Sequence, residues 1–221
     1  MESFDRTRSI TRATVVAIAP ALLTAALIWH PYLPGRLPDH AGVAEAVTVG
    51  PIRWGLAHLA VALASAALIL AFIAIRGFLR EAGDKAWSAI GLGLIVLGSV
   101  SNAVLPGMEF APLAAVESGA DPEAAQLALD EWFVAVLFIG ALAFAAGVVC
   151  VAVALLRHGA LNPMLGWVVV GALIVMAASR FVPFSAVQFY VQSAAALIAL
   201  WPLAWVVWTR GGGQAAVSRP G

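Results

Sequence analysis

Cysteine, lysine and charge are what this chain has least of. Its 221 residues include one cysteine, Cys150, one lysine, Lys85, and a charged fraction of only 11%. A lone cysteine cannot form an internal disulfide, which excludes dithiol redox chemistry within one chain. A retinal-type Schiff base needs a lysine inside an apolar helix, and Lys85 lies in a polar stretch between two apolar runs. No HExxH zinc motif, GxSxG nucleophile elbow or P-loop occurs. Voltage-sensor arginine spacing and the clustered acidic signature expected of a glycerolipid transferase are missing too. The formal net charge is zero, so nothing electrostatic points to nucleic acid.

What the chain has instead is apolar surface. It is 62% hydrophobic, where soluble domains are about 45–50% apolar and about 25% charged. Such a composition suits a solvent of hydrocarbon, and each crossing of about 30 Å needs roughly 20 apolar residues. Six runs stand out, over 14–29, 55–75, 87–105, 132–156, 166–179 and 186–208, the fifth short because Pro163 and Pro183 bracket it. The expected fold class is therefore an all-α integral membrane protein, a six-transmembrane-helix bundle in one domain. The first run lacks a small-residue cleavage site after it and reads as a retained helix. Loops are expected over 30–53 and 106–130, and a disordered, Gly-rich tail over 211–221.

Charge sets the expected orientation. With the N-terminus in the cytoplasm, the inner segments hold Arg6, Arg8, Arg12, Arg76, Arg80, Lys85, Arg157, Arg210 and Arg219. The outer segments hold only Arg36, Arg53 and Arg180. That is a positive-inside bias with both termini inside. Trp29, Trp54, Trp87, Trp132, Trp167 and Trp208 lie near span ends, where interfacial belts form. Arginine in place of lysine, with abundant alanine, suits a GC-rich bacterial genome and hence a bacterial inner membrane. A faint internal repeat pairs the second and third spans with the fourth and fifth, each hairpin carrying tryptophan, an inner arginine and a second tryptophan (Trp54, Arg76, Trp87; Trp132, Arg157, Trp167). It suggests duplicated two-helix hairpins.

The polar residues share one depth. Trp54 and His58 open the second span, Asn102 ends the third, and Glu109 follows it. Glu131 begins the fourth span, Arg180 ends the fifth, and Gln188 and Gln192 begin the sixth. His30 ends the first. Ser185, Gln188, Gln192, Ala195 and Ala199 form a stripe, polar outside and small below. Polar side chains facing lipid are costly, so these faces should turn inward and line an outward pocket with an apolar floor. Deeper residues such as Gly91, Gly98, Gly140, Gly147 and Gly171 read as close helix contacts.

Each of these residues also has a plainer reading. His58 could bond Asn102 or a glutamine between helices, Arg180 could pair with Glu131 or Glu109, Gln188 and Gln192 could be interhelical glue, Glu109 a solvated loop acid, and His30 an interfacial residue. Haem or a divalent metal at His30 and His58, with Glu109 and Glu131 as further metal ligands, has no spacing motif behind it. Three functions follow from the pattern. The first is binding or transport of a small or amphipathic ligand in the outward pocket. The second is a membrane enzyme using His58 with Glu109 or Glu131 on a lipid-like substrate. The third is an accessory subunit, with a partner membrane protein or a second copy packed on its Gly/Ala faces.

Overall fold

The computed structural model describes residues 2–217, and side chains over 6–210. Among the described residues the chain is built of helices, six of them long and apolar enough to cross a membrane by length and composition. They are centred on α1 (Glu2–Trp29), α3 (Pro51–Glu81), α4 (Trp87–Met108), α7 (Asp130–Arg157), α8 (Pro163–Ala178) and α9 (Gln192–Val217), the third running on to Ser118, the fifth to Phe181 and the sixth starting at Ala186. Three shorter helices, α2 (His40–Val49), α5 (Phe110–Ser118) and α6 (Pro122–Leu127), fill what read as loops over 30–53 and 106–130. The last helix runs into the stretch expected to be a disordered tail. The end of that stretch, 218–221 with Arg219, lies outside the described residues.

The starts of the helices follow from local chemistry. Pro51, Pro122 and Pro163 each occupy a first turn, where no amide hydrogen is missed. Asp39, Asp121 and Asn162 cap α2, α6 and α8 by accepting from free amides of the first turn. Asp121 followed by Pro122 is a cap and first-turn pair that opens a helix, and α6 stops at Leu127 before α7 begins anew at Asp130.

Each long helix packs against its neighbour in the chain, and α9 closes on α1, so the spans form a ring. Trp201 Nε1 donates to Ala17 O at 3.1 Å across the closing seam. The tightest seam is α4 against α7. A Cβ on Gly98 would lie 2.6 Å from the Phe144 amide nitrogen, and one on Gly147 2.7 Å from the Gly91 carbonyl oxygen. Only glycine allows backbones this close. Gly171 differs from the expectation: a Cβ there would meet nothing within 4 Å.

The end of the ring that carries the termini is closed. Phe72 and Phe144 meet edge to face at 6.2 Å in its core. Arg12 Nη1 bonds Glu81 Oε1 at 2.7 Å. Asp84, buried in the α3–α4 turn, accepts from the Ser88 amide at 2.7 Å and faces His158 Nε2 at 3.3 Å. The sequence pattern gave no sign of this Asp84–His158 clasp.

The opposite end carries a cap. Helices α2, α5 and α6 pack on one another, and α2 and α5 rest on α3, around Leu33, Val43, Val47 and Trp54. A strap ties the cap's first loop to the α8–α9 turn: Leu37 N donates to Pro183 O at 3.0 Å, beside an Arg36–Phe184 bridge.

Candidate functional site

Beneath the cap lies a cavity of about 160 Å³, room for on the order of ten waters. It starts where the α4–α7 glycine contacts end. Above Gly140, the next turns of α7 turn Leu137, Val136 and Phe133 toward the space. Leu23 and Leu27 of α1, Val61 of α3 and Ala141 of α7 supply apolar wall and floor.

Trp54, His58, Asn102, Glu109, Arg180, Gln188 and Gln192 all line this one cavity. Glu131 does not; it is exposed at the start of α7, and Asp130 beside it faces His40 at 3.3 Å. Glu131 was placed by depth alone, and the rotation of α7 turns it away.

The contacts differ in detail from the simplest readings. Trp54, 1% exposed, donates its indole Nε1–H to the Glu109 carbonyl oxygen at 2.9 Å, joining α3 to the cap. Asn102 Nδ2 donates to Ser65 Oγ at 3.0 Å, so its partner is a serine of α3 and not His58. Gln188 Nε2 donates to Val182 O at 3.0 Å. The partner that His58 finds is His30, at 3.3 Å between the two Nε2 atoms. His30 thus belongs to the cavity and is more than an interfacial residue.

The histidine pair has more contacts than protons. His58 Nδ1 lies 2.7 Å from Trp54 O, His30 Nδ1 2.9 Å from Pro31 O, and the two Nε2 atoms face each other. Two neutral rings bring two N–H groups to three contacts that each need one. Either one contact stays unsatisfied or the pair holds a third proton between its rings. Burial lowers the pKa of His30 below its usual value, the Pro31 carbonyl opposes that, and the Arg53 charge adds to it. The rings touch, with centroids 4.6 Å apart, so a haem between them would require them to separate. A metal ion could be gripped by the two Nε2 atoms, but no cluster of three or more ligating side chains exists among the described residues. Protein zinc sites use three or four.

Two ionic groups complete the site. Glu109, 8% exposed, accepts from Gln126 Nε2 at 3.2 Å through Oε1, while its Oε2 has no partner. Gln126, on the short cap helix α6, is a cavity residue the sequence reading missed; its only signal was the Asp121-Pro122 helix start four residues before it. Arg180, 7% exposed, sits in a 3₁₀ turn, Ser179–Phe181, at the end of α8. Its guanidinium lies 3.7 Å from the centre of the Phe144 ring, and its Nε has no partner. No described carboxylate reaches it, so the expected pair with Glu109 or Glu131 is not formed. Gln188 lies in a stretch of π-helix, Ala186–Val191, which leads into Gln192. Such wide turns recur at functional sites and carry no simple sequence signature.

The arrangement can hold a small guest: apolar walls, a few convergent polar groups and one uncompensated cation. No protein-family model, no curated protein and no solved structure matches the chain.

Proposed function

We propose that the chain is a multi-pass protein of a bacterial inner membrane, with both termini in the cytoplasm, that binds a small or amphipathic ligand in the capped cavity from the extracytoplasmic side. One observation carries this reading. Polar residues from separate spans that share one depth in the sequence line a single hollow, with Glu131 and Ser185 the exceptions. The arginine distribution supports the orientation. A hollow lined by polar groups is expensive in a bundle otherwise packed with Ala, Leu and Val, and ligand binding is a reason to keep it.

The enzymatic alternative has less support. His58 has no carboxylate among its hydrogen-bond partners, and its free nitrogen is engaged by His30.

Thermal unfolding of the detergent-purified protein against a panel of small amphiphiles tests the binding reading. At least one compound should raise the midpoint, and Gln192→Ala should abolish the rise while leaving the unliganded midpoint near wild type. A panel that moves nothing, or protection that survives in both Gln192→Ala and His58→Ala, would sink it.

A further inference from the structure

Arg180 is the member of the cavity whose chemistry is least accounted for. Its side chain is more than nine-tenths buried, yet its Nε bonds to nothing and no carboxylate pairs with it among the described residues. The lining carboxylates are held elsewhere. Asp39 accepts from the Gly35 and Gly42 amides, each at 3.1 Å, and Glu109 is held through Oε1 by Gln126. The Phe144 ring centre lies 3.7 Å from the guanidinium carbon, and a guanidinium stacked on a ring keeps its edge, where the N–H groups point, for another partner. A buried charge without a counter-charge is strongly unfavourable, and more so within an apolar bundle. The amides of Asn102, Gln188 and Gln192 share the cavity with it, and amide N–H groups are further donors for an oxyanion.

We propose that the cavity binds its ligand by an oxyanion, a phosphate or carboxylate group, seated on the guanidinium edge of Arg180. This rests on the binding reading above and narrows it to a class. The guanidinium fork matches such groups bidentately, which a lysine cannot do. The apolar wall of Phe133, Val136 and Leu137 continues from the polar region along α7 and suits a short hydrocarbon tail. The anion can arrive on an amphiphile or as a free ion, and the shared chemistry is the oxyanion.

The test uses the full-length protein in a neutral maltoside detergent, with thermal unfolding read against octyl phosphate, octanoate, inorganic phosphate, octyltrimethylammonium and octanol. Octyl phosphate or octanoate should raise the midpoint, and Arg180→Met should weaken that binding by more than about tenfold, the loss expected when one partner of a buried charge pair is removed. Arg180→Lys should recover only part of it. Protection by inorganic phosphate equal to that by octyl phosphate identifies a free anion as the ligand source; a much larger effect of octyl phosphate identifies an amphiphile. A second readout separates this role from a structural one. Without ligand, Arg180→Met should unfold at the wild-type temperature or higher, because an unpaired buried charge has been removed.

A fall of several degrees in the unliganded variant would mark Arg180 as a structural group and overturn the proposal. So would equal protection by octyltrimethylammonium, or protection by octyl phosphate that persists in Arg180→Met. Stabilisation by octanol with none by the anions would leave the cavity a binding site and remove only the oxyanion. No response to any of the five would remove both.

Discussion

The two ends of this bundle are built by opposite rules. From the end that carries the termini up to the edge of the cavity, α4 and α7 meet backbone to backbone through Gly91, Gly98, Gly140 and Gly147, and the side chains between are small or apolar. At the capped end, the same helices separate and the space fills with Asn102, Arg180, Gln192 and a pair of facing histidines. In hydrocarbon no hydrophobic force drives helix against helix, so close contact and hydrogen bonding must supply the cohesion. One half of the molecule takes the first route and is closed; the other leaves charged groups with unused donors and acceptors, as Arg180 Nε and Glu109 Oε2 are.

The sharpest way to break this contrast is to fill the glycine seam. Gly98→Leu drives a side chain into the Phe144 backbone, where even a Cβ would sit at 2.6 Å. It should cost 3 kcal/mol or more, at or beyond the upper end of about 1–3 kcal/mol for overpacking. Gly171→Leu, with open space at its Cβ, should change stability by less than about 0.5 kcal/mol. Denaturant unfolding of the two variants side by side measures the difference, and equal losses would end the idea of a glycine-packed half.

At the hollow end, Trp54→Phe keeps the ring and removes the Nε1–H that reaches the Glu109 carbonyl. A buried acceptor left without its donor should lower stability by about 1–3 kcal/mol. Protection from proteolysis should fall first in α5 and α6, and loss spread evenly over the chain would contradict the cap's dependence on this bond.

The two ends should also answer to different pH. The folded pKa of His30 is lowered from 6.5, chiefly by burial, so the unfolded chain binds more protons below that value. Stability from neutral His30 is therefore present above about pH 6.5 and is lost on acidification through the window beneath it. Asp84 at the closed end has the opposite character. Burial pushes its carboxyl up, but hydrogen bonds from Ser88, the His158 charge and the Trp87 amide together outweigh that and leave it below 3.8. Its contribution is complete above 3.8 and is lost only as the pH falls through the lowered value. Thermal midpoints between pH 4 and 6.5 should slope with pH, at up to about 1.4 kcal/mol per unit per proton. His30→Gln should reduce that slope, with the buried His58 left to supply the remainder, and Asp84→Asn should leave it unchanged; the reverse pattern would assign the sensitivity to the wrong end.

The smallest effect belongs to Glu131. It is exposed and lies outside the cavity, so Glu131→Gln should shift stability by less than about 0.5 kcal/mol and leave any ligand protection intact. Lost protection in that variant would extend the site beyond the hollow.

The spans were legible because hydrocarbon thickness imposes a length on apolar runs. The seam glycines were legible because small residues seven apart recur on one face of each partner helix. Depth was legible too, which is why His58, Asn102 and Gln192 could be grouped. Rotation was not: Glu131 and Glu109 are both acids near span ends, and only the packing of α7 and the cap decides which one turns inward. Nor were the partners. His58 with His30, Asn102 with Ser65 and Gln126 with Glu109 depend on how helices far apart in sequence are set against each other. The apolar stretch of α2 was obscured by the Pro and Gly residues around it, although Asp39 offers the same capping signal as Asp121.

The strap from Leu37 to Pro183 carries a mechanical consequence. Pro183 is three residues beyond Arg180, in the same connection between α8 and α9. The cap's first loop therefore cannot lift without either breaking that hydrogen bond and the bridge beside it or tugging the turn along with it. The loop over the cavity and the turn that carries its cation are thus one linked piece.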